Sequence, residues 1–418
     1  MANIQIKQVE AMKVIVETTF GADATTSPGI ASFTFVPFNE GTATVTLTMD
    51  ELDPNFAIQK RYQGRERVLG KKSATLKFTM NLSPTGTAAG NTTVAVTSAL
   101  GIMLKATMGG EDLGTGTKFA TGWTPITGDA LSAAGLTAGA FIGWTNSAGT
   151  VEWRQIKSKS TNTLVLTHGF SGSPALNDVM YSCATYSLTE DPAQSLQFAV
   201  YGQNTTDRWL LTGCQAVGGF DIAIDPTGKA IPTVTFNFTA ANWIDGSSAA
   251  TPITGTIPTA SYSAYSPIVE YVGDFQMFTV GTPTYTATTS RVHISALTWK
   301  PKIVFAPVTS PSGTQTIYRW RGARANPPIE GTFTTWFEDL TWWTKRSSLA
   351  DMCQQYTMGT AAGAAMVLCA PTVQILNPQR AASNTEIEGQ TISFAGRCNT
   401  DTALTTDLAL SPVYIVLG

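Results

Sequence analysis

Two histidines in 418 residues leave little room for imidazole chemistry. A metal centre, or a serine or cysteine nucleophile activated by histidine, has only His168 and His293 to draw on, and a satisfied structural histidine is the simpler reading of each. The cysteines, Cys183, Cys214, Cys353, Cys369 and Cys398, are odd in number and show no CxxC spacing, which fits buried free thiols made in a reducing cytoplasm. No glycine-rich phosphate loop stands at a strand-to-helix junction. Glu338 and Asp339 are adjacent, so a strand would send them to opposite faces rather than form an acid/base pair. No run of about 18 apolar residues is present to span a bilayer, and Met1 to Lys7 lack a signal-peptide core. The sequence calls for no cofactor, no metal and no membrane.

Charge is scarce as well. Asp, Glu, Lys and Arg make up 13% of the chain, about half the usual share. A surface of Thr, Ser, Gly and Ala is polar without being charged, which suits a subunit that buries much of itself against neighbours. The net charge of −3 argues against wholesale nucleic-acid affinity.

What is present is repetition. Thr44–Thr48 and the Arg61-Tyr62-Gln63-Gly64 run match Lys302–Ala306 and Arg319-Trp320-Arg321-Gly322 at one common separation. Ser98–Met108 matches Ser348–Met358, each with Ser at an N-cap position and Gly after the last residue, so each copy is expected to carry one short amphipathic helix. Ile224-Asp225-Pro226 lines up with Leu376-Asn377-Pro378 as turn chemistry, and Val234–Phe238 with Gln390–Phe394 as a half-buried strand of period two. A period this long means two copies of one domain rather than a solenoid.

The separation shortens sharply between the helix match and the turn match, so the first copy carries extra residues there. They bring their own strand signals at Ala140–Trp144, Val151–Ile156 and Thr163–Leu166, and read as a small β-barrel or meander on the surface. The layout expected is a first domain over 1–110 and 191–245, an inserted β module over 111–190, a linker over 246–260 and a second domain over 261–418.

One segment stands out electrostatically. Lys60, Arg61, Arg65, Arg67, Lys71 and Lys72 are opposed only by Glu66, and Arg319, Arg321 and Arg324 stand at the matching place in the second copy. Together with Tyr62 and Trp320 they are candidate contacts between subunits; as the only aromatics interleaved with these charges, that pair is too few for base stacking. The Trp342-Trp343 doublet invites a sugar-stacking reading, but beside a helix start it reads better as core packing.

The runs Arg61–Gly64 and Ser73–Phe78, then Ser195–Val200, Arg208–Ala216, Gly228-Lys229 and the strand ending in Thr239-Ala240, resemble the major tail tube proteins of tailed phages. The resemblance covers most of the first copy outside the insertion and, more faintly, the second. It implies a small β-sandwich with one short flanking helix for each copy; with the duplication and insertion read above, the expected chain is mainly β, two tandem tube-type β-sandwich domains plus the inserted barrel-like module. It further implies a non-catalytic structural protein of a non-contractile virion tail, assembled in the host cytoplasm. Six tube domains per ring would come from three chains, and stacked rings would form a conduit for DNA. The implied partners are copies of itself, tail initiator or tip and terminator proteins, a tape measure protein in the bore, and genomic DNA in transit. A tail-tip or fibre-like carbohydrate-binding module is the alternative, and a hydrolase on a β scaffold ranks last.

Overall fold

A computed structural model of the chain describes residues 2–6, 9–52, 68–83, 98–114, 117–120, 122–132, 135–181, 183–189, 194–204, 207–225, 230–253, 257, 274–279, 292–309, 317–323, 325–336, 341–359, 365–381, 389–398 and 407–418. The fold is mainly β. Strands β1 (Ala2–Ile6), β2 (Val9–Val16), β3 (Thr34–Phe35), β4 (Thr44–Leu52) and β5 (Val68–Asn81) precede helix α1 (Ala99–Met108). Both ends of α1 form as its sequence implies. The Ser98 hydroxyl accepts from the Gly101 N–H at 3.0 Å, and Gly109 closes the helix at φ 89.

Strands β6 (Gly109–Leu113), β7 (Thr117–Lys118), β8 (Thr127–Asp129), β9 (Phe141–Thr145), β10 (Val151–Ser160), β11 (Thr163–Leu166), β12 (Val179–Met180) and β13 (Ala184–Leu188) make up the insertion. Its centre is a four-stranded sheet in the order β8-β11-β10-β9 with its own core around Phe119, Trp123, Trp144 and Phe170. The expected surface placement needs correcting. Phe141, Val151 and Trp153 share a second core with Phe278, Cys353, Cys369 and Tyr414 far along the chain, and Gln355 Nε2 donates to the Trp153 carbonyl at 3.0 Å. The module is packed into the second half of the protein because its strand β10 buries side chains on both faces.

The chain then returns through β14 (Leu196–Gly202), β15 (Arg208–Cys214), β16 (Phe220–Ile224), β17 (Thr233–Ala240) and β18 (Asn242–Asp245). The start of the expected linker is likewise built in. Ala249 and Ile253 are buried with Ala11, Phe33 and Leu210, and Asp23 accepts from the Ala250 N–H at 2.6 Å.

The second half holds β19 (Asp274–Thr279), β20 (Ile294–Pro301), β21 (Val304–Thr309), β22 (Ile317–Ala323), β23 (Ile329–Trp336), α2 (Thr341–Ser347), β24 (Met352–Met358), β25 (Met366–Ala381), β26 (Gly389–Gly396), α3 (Asp407–Leu410) and β27 (Tyr414–Leu417). The order of pairing occurs twice. Val45, Leu76 and Phe238 form a row across β4, β5 and β17, and Trp299, Gly331 and Phe394 form its counterpart across β20, β23 and β26. The next row, Phe78-Phe236-Phe220, is answered by Phe333-Ile392-Pro378. In the first set a separate five-stranded sheet covers this one, and in the second set β19 and β24, joined to the same sheet through β25, fold over it. Phe198 of β14, flanked by Val14 and Leu211, lies 4.9 Å from Phe238; Tyr356 of β24 is flanked by Phe275 and Leu368, and Phe275 lies 5.2 Å from Phe333.

These registers correct three sequence alignments. The counterpart of β4 is β20, so Lys302–Ala306 is not its match; Val304–Thr309 instead pairs with β22 in a separate two-stranded ribbon. Residues 348–358 do not form a helix. The helix is α2, whose end carries the Ser348 N–H to Thr344 O bond and is stopped by Leu349 at φ 50, and β24 follows with every residue buried. Met352, Tyr356 and Met358 enter one core and Cys353 another, so β24 lacks the alternation that marks a half-buried strand. Finally, Leu376-Asn377-Pro378 is no turn: it lies inside β25 at a register shift between Ile375 and Asn377, where one bulged strand does the work of β15 and β16 together.

Candidate subunit interface

Two features of the fold offer surfaces to a second chain: open sheet edges, and the basic segment between paired core strands. The basic segment is placed by the strand order. β4 and β5 are joined by one excursion and β20 and β23 by another, and the β21–β22 ribbon is the described part of the second. Lys60, Arg61, Tyr62, Arg65 and Arg67 lie outside the described residues, as does Arg324.

Lys71 and Lys72 lie in the first half of β5. Lys72 pairs in register with Met49 and holds its ammonium 4.3 Å from the Trp243 ring centre. Trp243 is fixed in turn by donating to the Thr48 carbonyl at 3.1 Å and by an edge contact with Trp209 at 5.4 Å. Asp245 beside it is held below the usual carboxylate range, first by the Ser247 hydroxyl and backbone N–H and last by Lys72.

On the ribbon, Arg319 and Arg321 are exposed opposite Val308 and Ala306, while Trp320 between them faces inward. Trp320 is buried and donates its indole N–H to the Gly213 carbonyl at 2.7 Å. It is therefore an internal anchor and not an exposed aromatic, a correction to the sequence reading. The ribbon presents one cationic face to solvent and clamps the other against the first half of the chain.

The seam between the two strand sets is itself an edge-to-edge contact. Ile222, Ala223 and Ile224 of β16 pair with Trp299, Thr298 and Leu297 of β20, which makes a single 14-stranded sheet. Lys300 and Asp221 face each other across it at 3.6 Å, and Gly219 fits against the Pro301 carbonyl where a Cβ would stand 2.1 Å away.

Several of the residues considered for chemistry are packed in the interior. His168 is buried and stacked on Phe278 at 4.2 Å; burial, then the nearby Arg154 charge, lowers its pKa to about 3. His293 is exposed. Cys214, Cys353 and Cys369 are buried free thiols; burial pushes the Cys183 thiol up to about 12, and Cys398, expected inside, is exposed. No cluster of metal-ligating side chains occurs among the described residues. Trp342 packs edge-on against Phe333 at 5.1 Å while Trp343 is exposed, so the doublet offers no two-ring platform. Glu338 and Asp339 lie outside the described residues.

One polar centre went unread in the sequence. Glu17, following β2, is buried and accepts from the Gly213 N–H at 2.7 Å, the Gly21 N–H at 3.0 Å and the Ser195 hydroxyl. Burial lifts its carboxyl to about 7 against the opposing pull of those donors. Nothing local distinguishes Glu17 from a solvated glutamate, because its partners come from Ser195 just before β14, from β15 and from the bend after β2.

No protein-family model matches the chain, and no curated protein matches it.

Proposed function

We propose that this chain is the structural subunit of a phage-type tail tube. Three copies form a ring, each supplying two sets of tube-type strands, and rings stack into a hollow conduit for DNA. The observation that carries the reading is the β16–β20 seam, where one strand set extends the sheet of the next by direct antiparallel pairing. An open sheet leaves unsatisfied backbone groups on its edges, and continued addition around a closed ring removes them. Heterologous contacts that do not close along the axis give a tube of open length. The low charge and the interior roles of His168, the buried cysteines and Trp342 support a subunit over an enzyme or a glycan-docking module. In this reading the exposed Arg319 and Arg321 pair with acidic groups of an adjacent ring, the inserted module lies on the outside, and the bore accommodates a tape measure protein before DNA.

Electron microscopy of the purified, concentrated chain tests it. Hollow rods or stacked rings of threefold symmetry are expected. A closed particle of fixed size at every concentration, without rods even after addition of preformed tail tips, removes the tube.

A further inference from the structure

Two corresponding sheet edges carry different occupants. The outer edge of β20 is taken by β16, with Ile222 opposite Trp299 and Ile224 opposite Leu297. β4 holds the corresponding place in its own set, since Val45 pairs with Leu76 as Trp299 pairs with Gly331. Its outer edge is taken instead by the amino-terminal strand β1, with Ile6 opposite Val45 and Ile4 opposite Leu47. Both occupants run antiparallel to their hosts, and Ile6 holds the place of Ile222. Their sequences alternate alike, Ile4-Gln5-Ile6 against Phe220-Asp221-Ile222.

The second set has its own version of β16 in the carboxy-terminal part of β25, where Pro378 pairs with Ile392 as Phe220 pairs with Phe236. Among the described residues no strand pairs with the other edge of 374–379. The protein therefore holds a β16-like edge with no described strand partner on the carboxy-terminal part of β25, next to helix α2, while the sheet continues from the amino-terminal part of β25 to β27. At the β1 end of the sheet it holds a β20-like edge covered by the short strand β1.

We propose that β1 is a placeholder strand: it covers the edge of β4 on which residues 374–381 of a second copy of this chain dock, and it is displaced when copies join. The occupant is a second copy because the seam already built within the chain is the same contact. β16 meets β20 directly, with no strand between them, so the corresponding contact between chains leaves no room for β1 on β4. Addition of an extended segment to a sheet edge draws its strength from main-chain hydrogen bonds, which the incoming strand can replace one for one. A five-residue strand that pairs on one side alone opens at low cost, whereas β16 is paired on both sides in the middle of the sheet. A covered edge also keeps newly made subunits from pairing indiscriminately. The inference rests on the tube reading only for the shape of the product.

The test uses the full chain with the exposed Cys398 replaced by serine. Gln5→Cys with Thr46→Cys joins β1 to β4 at directly paired positions. A second variant lacks residues 2–6. Association is followed by sedimentation and electron microscopy. The oxidised cross-linked protein should stay unassembled where the same protein assembles after reduction, and the truncated chain should assemble at roughly tenfold lower concentration than the full chain. Equal assembly of oxidised and reduced protein, or no shift on truncation, overturns the placeholder. β1-dependent association into closed oligomers instead of hollow rods keeps the placeholder and removes the tube. Failure of every form to associate at any concentration removes both.

Discussion

The indole N–H of Trp320 donates to the carbonyl oxygen of Gly213 at 2.7 Å, and the N–H of that same glycine donates to Glu17 at 2.7 Å. One peptide bend at the end of β15 thus fastens the β21–β22 ribbon on one side and the bend after β2 on the other. The exposed arginines of the ribbon are held in position by a buried residue between them, so the cationic face is a rigid feature of the fold.

Trp320→Phe keeps most of the packing and leaves the Gly213 carbonyl without its indole donor. The carbonyl keeps the longer bond from the Ala241 N–H at 3.3 Å, so a cost of about 1 kcal/mol follows from the lost hydrogen bond, and Trp320→Ala should cost about 3–5 kcal/mol by adding a cavity. Denaturant unfolding of the unassembled chain measures both. Equal, negligible losses would mean that the ribbon is not anchored there.

Gly213 adopts φ 62, and a Cβ there would stand 2.7 Å from Ala241 Cβ and 2.9 Å from the Phe20 ring. Gly213→Ala therefore combines backbone strain with a clash, and a loss of roughly 2 kcal/mol or more is expected from the same unfolding measurement. Gly218, at φ 88 with open space around it, is the control; Gly218→Ala should cost about 1 kcal/mol from backbone strain alone.

The elements legible in the sequence are those whose signal is local. Strand β17 shows Val234, Phe236 and Phe238 inward and the intervening residues outward, and α1 has its Ser98 and Gly109 ends. β24 and β25 were misread because burial on two faces erases the period, and because the bulge at Ile375–Asn377 lets one strand pass where a turn was expected. The repeat was legible as an order of elements, yet its register was not. The excursions between core strands differ in length, and an ungapped match slid Thr44–Thr48 past β20 onto the ribbon strand. Trp320 and Glu17 owe their roles to partners distant in sequence, on which residue type alone is silent.

His168 stacks on Phe278 and joins the inserted module to the second half, with its Nε2 buried and lacking a hydrogen-bond partner. Its pKa in the fold is about 3, below the ordinary 6.5, so the neutral form is favoured. The contribution is fully present above pH 6.5 and is lost as pH falls toward 3, at about 1.4 kcal/mol per pH unit. His168→Phe retains the stack and removes the titration. Its stability relative to the parent chain should be near zero or positive at pH 7 and grow by about 2–3 kcal/mol by pH 4.5. A difference independent of pH would mean that His168 does not titrate in this contact.

Glu17 has the opposite sign. Its carboxyl is raised from 4.5 to about 7 by burial, so its contribution is fully present below 4.5 and is lost as pH rises through 7, amounting to about 3 kcal/mol. Glu17→Gln turns an amide NH2 toward the Gly213 or Gly21 N–H and should cost about 1–3 kcal/mol at pH 5. Because the parent chain weakens with rising pH and the variant does not, the gap between them should narrow at pH 8. Melting curves at the two pH values decide it; an unchanged gap would show that Glu17 keeps one ionisation state throughout.

Arg319 and Arg321 are exposed on the ribbon, and neither packs in the core. Reversing both, Arg319→Glu with Arg321→Glu, should leave the stability of the unassembled chain within about 0.5 kcal/mol, as for surface positions generally. If the ribbon pairs with acidic groups of a neighbouring ring, the same change replaces attraction by repulsion and should block or slow tube growth, because like charges brought together at a contact are strongly unfavourable. Assembly of the parent chain should then weaken as salt rises, while assembly held only by strand pairing and apolar burial should not. Sedimentation of parent and variant across a salt series separates the two contributions. Tubes that form equally well from both proteins, at low and high salt alike, would exclude the basic ribbon from the ring contact while leaving the sheet-edge contact in force.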